Sequence, residues 1–91
     1  MAASRSTTPG FRDSRYRQLI EGLVDRRREL GLTQQGLADR LGLHKQFVSR
    51  VELGERRLDV VEFADFAAAL GMNAAELVGS IARPTAANED P

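Results

Sequence analysis

Cysteine and tryptophan are absent from these 91 residues, and histidine occurs once. Without cysteine there is neither a disulfide nor a thiolate metal site. His44 alone does not supply the set of ligands that zinc requires, and it reads as a surface or capping residue. No run of ~18 apolar residues is present, so no segment reads as membrane-spanning. The opening MAASRSTTPG has no apolar centre and does not read as a signal peptide. The expectation is a soluble, cytoplasmic domain. Also missing are strand-like alternation, an Asn-Gly or Asp-Gly hairpin turn, a nucleophile–base pair, a metal cluster and a phosphate-cradling glycine loop. An enzyme is therefore not expected, and no cofactor or metal is assigned.

What is present suits one small globular domain with one core, since 42% of residues are apolar and 29% charged. Net charge is zero, but its distribution is lopsided. Residues 1–57 carry 12 Lys and Arg against 7 Asp and Glu, whereas residues 58–91 carry 1 against 6. A basic first part joined to an acidic last part is expected if one end of the domain meets phosphate. Residues 1–12 and 84–91 are small, polar and proline-marked, and read as disordered tails flanking a domain over 13–83.

Inside that domain apolar residues recur at helical spacing, which predicts an all-α fold of five short helices. The first runs from about Ser14 to Leu30, stopped by Gly31. Thr33 is a good N-cap for a second helix from Gln34 to about Leu41, with Leu37, Ala38 and Leu41 inward and Gly42 as its end. A third covers about Lys45 to Leu53 and stops at Gly54. Asp59/Glu62 and Asn73/Glu76 have capping-box spacing and start a fourth helix (about Val60 to Leu70) and a fifth (about Ala74 to Ala82). On the fourth, Val60, Phe63, Phe66, Ala67 and Leu70 form an apolar stripe that reads as core.

The stretch TQQGLADRLGLHKQFVSRVELG places two helices on either side of one glycine. Ala38 and then Gly42 leave room for the third helix to cross closely, as a helix-turn-helix requires. On a wheel of ~3.6 residues per turn, Lys45, Ser49, Gln46 and Arg50 fall on one side of the third helix. Phe47, Val51 and Val48 fall on the opposite side. One side is apolar, and the other carries two cations and an amide. Lys and Arg suit the O6 and N7 of guanine, and Gln suits the N6 and N7 of adenine. The free N–H groups of the helix start suit phosphate.

These residues resemble the Cro/C1-type helix-turn-helix domains, the XRE family. LGLTQQGLADRLGLHKQFVSRVELGER carries the pattern, and LDVVEFADFAAALGMNAAEL resembles the family's last two helices, so residues 17–79 are covered. The resemblance implies a compact five-helix, lambda-repressor-like domain that binds double-stranded DNA. It also implies base contacts from Lys45, Gln46 and Arg50 with Ser49 close by, and phosphate contacts from Gln34, with Gln35, His44, Arg56 and Arg57 grouped with it. The sequence leaves open which of Arg56 and Arg57 points inward. Arg27 and Glu52 match a buried salt bridge of structural purpose. Arg26 and Arg28 fit either solvated surface or phosphate steering. Leu53 replaces a position that is often polar. Gly36 costs the second helix ~1 kcal/mol relative to Ala unless DNA or another helix comes close.

One small module discriminates weakly against a genome of competing sites. The resemblance implies a homodimer on an inverted repeat, and Leu77, Val78 and Ile81 of the fifth helix offer the candidate interface. The leading function is a dimeric, sequence-specific transcriptional regulator acting as a repressor. The alternative is an antitoxin or adaptor that uses the same fold on a protein partner, for which the eight residues after Arg83 offer little extra surface. Fold alone does not decide between these.

Overall fold

The computed structural model describes residues 13–82, so both expected tails lie outside the described residues. Five helices follow one another: α1 Ser14–Glu29, α2 Gln34–Leu41, α3 Lys45–Leu53, α4 Val60–Ala69 and α5 Ala74–Ile81. Among the described residues there is no strand. The bounds of α2 and α3 are those read from the sequence, while α1, α4 and α5 each stop one residue earlier.

Side-chain capping explains the starts of α1, α2, α4 and α5. The Asp13 side chain accepts from Arg15 N and that of Thr33 from Gly36 N. Asp59 and Glu62 complete a reciprocal capping box. Asn73 accepts from Glu76 N, but the return bond of the expected second box is not made. Aspartate and asparagine both accept from the helix start; at α5 only that half of the motif forms.

The ends of α1 to α4 share one device. Gly42 takes a positive φ, in the left-handed region where a Cβ would be strained. From there its N–H reaches Asp39 O, and Leu43 N reaches Ala38 O at 2.9 Å. This paired closure satisfies carbonyls that the last turn leaves open. The same pairing recurs after α1, α3 and α4.

α2 and α3 pack most extensively on each other, α4 closes over α2, and α5 bridges α1 and α4. Leu37, Val48, Val51, Phe66 and Leu70 fill the centre, and Ala38 is wholly buried where α2 and α3 meet. Burying each of the larger side chains stabilises by roughly 1.5–3 kcal/mol. The expected stripe on α4 needs one correction, because Val60 is 76% exposed. Leu58, one residue before the Asp59 cap, is buried instead, as is Phe63. These are the two positions of a hydrophobic staple, in which the residue before the cap takes the inward place and the first helical residue is left outside. Leu58 is held there by its N–H, which donates to the Tyr16 hydroxyl at 3.1 Å.

Candidate nucleic-acid interface

The two faces of α3 have opposite environments. Val48 and Val51 are enclosed, and Phe47 packs against Phe66 with ring centroids 6.2 Å apart. On the other side Lys45, Gln46 and Arg50 are exposed and Ser49 is half-buried. Among the described residues, none of these four side chains makes a hydrogen bond or ion pair. An exposed row of unpaired donors on a helix whose back is locked into the core is available for an external partner.

Around that row the other expected residues fall into distinct situations. His44 is the N-cap of α3, exposed and without a side-chain capping bond. Gln35, also exposed, donates to Asp39 one helical turn on, at 2.8 Å. Gln34 is half-buried and donates from Nε2 to Glu52 Oε1 at 2.9 Å. Arg27 and Glu52 form a two-pronged pair, Nε to Oε2 at 2.6 Å and Nη2 to Oε1 at 2.9 Å, and Arg27 Nη1 donates to Leu32 O at 2.6 Å. Arg27, 7% exposed, thus spends its donors on the carboxylate and on the α1–α2 turn. Removing one partner would leave a buried charge uncompensated, a loss of roughly 3–5 kcal/mol.

Arg56 and Arg57 separate. Arg56 turns inward, bonded to Glu62 Oε2 at 2.8 Å and to Oε1 at 3.2 Å, with its guanidinium 4.6 Å from the centre of the Phe47 ring. It also donates to the carbonyl oxygen of Arg57. These bonds employ Nη1 and Nη2, and 41% of the Arg56 side chain remains exposed. Arg57 is exposed. The Arg56 fork holds the Glu62 carboxyl below the usual glutamate range, helped by the Asp59 N–H, and Glu62 in turn raises Arg56. In the arginine run of α1, Arg26 donates to Leu70 O at 3.2 Å, and Arg40 of α2 donates to Ala69 O at 2.9 Å. Both guanidinium groups therefore close the C-terminus of α4, where cations are favoured. Arg28 stays exposed.

The Gln34–Glu52 bond and the Arg56–Phe47 stack were not read from the sequence. Both join residues from different elements, and no local spacing marks them. The place of Leu58, by contrast, was signalled by an apolar residue immediately before a cap.

A small bundle whose second and third helices meet at a glycine turn, with the third showing one buried and one unpaired polar face, defines a helix-turn-helix protein. The helix-turn-helix family model matches residues 23–77, and the chain belongs to that family, in its XRE branch. It is 42% identical over 52 residues to an uncharacterized HTH-type transcriptional regulator of Sinorhizobium fredii, covering 57% of this chain and 68% of that one. Among solved structures it is similar to an XRE-family like protein from Pseudomonas syringae pv. tomato, with a TM-score of 0.73 and 37% identity over 89% of this chain and 94% of the other.

Proposed function

We propose that this chain, a DNA-binding transcription regulator by its family, reads double-stranded DNA sequence-specifically with α3 in the major groove. The observation that carries the reading is the unpaired row Lys45, Gln46, Ser49 and Arg50 on a helix fixed from behind by Val48 and Val51. A rigid backing matters because base discrimination depends on side chains arriving in register with base edges. Gln34, Gln35, His44 and Arg57 then take phosphates on the flanks, which orients α3 without reading sequence. Arg56 serves from within, holding the loop after α3 against α4. Two copies bind an inverted repeat with their third helices about 34–36 Å apart and repress by covering a promoter.

Selection of bound sites from random duplex DNA tests this directly, since a two-fold symmetric consensus is expected. On the selected site, Arg50→Ala is expected to weaken binding by ~1–3 kcal/mol and to relax preference at one base pair. Equal loss on selected and random duplexes would remove Arg50 from base readout. A selection that returns no consensus would overturn sequence-specific binding itself.

A further inference from the structure

Glu52 Oε1 accepts from two neighbours at once, Arg27 Nη2 and Gln34 Nε2, each at 2.9 Å. The carboxylate is only 11% exposed at its side chain, in the last turn of α3, while Gln34 opens α2. An ionised carboxylate only accepts hydrogen bonds, whereas a glutamine amide has one end that donates and one that accepts. Glu52 therefore dictates which end of the Gln34 amide faces it. The nitrogen turns inward with one hydrogen on Glu52, and a second N–H remains for another acceptor. A phosphate oxygen is such an acceptor, and the amide oxygen would repel it.

We propose that Glu52 is a positioning residue for DNA-backbone recognition, acting through Gln34. It fixes the amide so that an N–H is kept for the phosphate, and Arg27 neutralises the carboxylate so that an anion can approach. The proposal rests on the reading above in which Gln34 meets a phosphate. It makes the buried ion pair part of the binding machinery as well as a strap between α1 and α3.

The test measures affinity of the full chain for the selected duplex and for a random duplex, with wild type, Gln34→Met, Glu52→Gln and the double variant. Gln34→Met is expected to weaken both duplexes alike, by roughly tenfold, the scale of one hydrogen bond to a charged group. Glu52→Gln is expected to do the same, and the double variant to lose no more than the weaker-binding single. Losses that multiply in the double variant would overturn positioning while leaving Gln34 as a phosphate contact. No loss from Gln34→Met would instead remove the phosphate contact on which the proposal stands.

Because breaking a buried pair from one side can unfold a small domain, a second measurement uses wild type alone. The Gln34 side-chain amide, assigned by its disappearance in Gln34→Met, is expected to show one proton shifted downfield and slow to exchange, unlike those of Gln18 and Gln46. That signature should persist when the duplex is added. Resonances indistinguishable from Gln18 and Gln46, or a signature lost on binding DNA, would overturn the proposal.

Discussion

Gly36 shows how a single position can look unfavourable until its neighbours are placed. Glycine inside a helix costs ~1 kcal/mol relative to alanine, so replacement would ordinarily stabilise. A Cβ built there would stand 3.2 Å from Leu32 Cδ2 and 3.3 Å from Thr33 Oγ1. The hydroxyl is not free to retreat, because it accepts the Gly36 N–H at 2.9 Å and caps the helix. Crowding should consume the propensity gain, so Gly36→Ala is expected to leave the melting temperature unchanged or lower it. A thermal melt raised by the full propensity increment would show that Leu32 and Thr33 yield freely. The crowding at Gly36 comes from Leu32 and Thr33 of the same domain, neighbours that the sequence reading did not name beside DNA or another helix. Which residues share a face of α3 was legible, because a wheel needs only the local repeat. The partners of Gln34, Arg26 and Arg56 were not, because each lies on another helix or beyond a turn.

Individual helices were legible for a related reason. Their signals are local: a capping side chain at the start of every helix but α3, and a glycine that closes the end of every helix but α5 with two backbone bonds. Those signals mark where an element begins without saying what covers it, which is why Val60 looked internal. The start of α4 carries a measurable consequence. Glu62 is both the third residue of the capping box and the partner of Arg56, so one carboxylate fixes the helix start and the loop after α3. Its folded pKa lies below the usual glutamate value, chiefly through the Arg56 hydrogen bond and then the Asp59 N–H. A depressed carboxylate contributes stability above its unfolded pKa and loses it as pH falls through the folded one. Glu62→Gln is therefore expected to lower the melting temperature at neutral pH and to bring the variant and wild-type curves together as the pH drops below the ordinary glutamate range. A gap that stays constant down to strong acid would mean that the carboxylate charge contributes nothing there.

At the scale of the molecule, the basic part of the chain holds α1 to α3 and the acidic part holds α4 and α5, so the charge split follows the architecture. In the proposed complex α5 sits away from the duplex and is free to meet a second copy. Its three expected contact residues do not contribute equally. Leu77 packs against the core, and Ile81 is half-buried in a cleft with Tyr16 and Leu19 of α1, whereas Val78 is 42% exposed. Changing Ile81 would disturb the fold and confuse the outcome. Val78→Asp is the cleaner test, because surface changes away from packed groups usually shift stability by no more than about 0.5 kcal/mol. In a two-fold interface each copy would bring one new carboxylate to the same apolar contact. Sedimentation equilibrium is then expected to give the monomer mass for Val78→Asp and the dimer mass for wild type. On DNA the variant should still recognise one half-site but lose the gain that wild type draws from the second. A Val78→Asp chain that keeps the dimer mass would move the interface off α5 and toward the most exposed apolar residues, Leu53, Val60 and Val61. The half-site spacing recovered by selection would then have to be explained from that end of the domain.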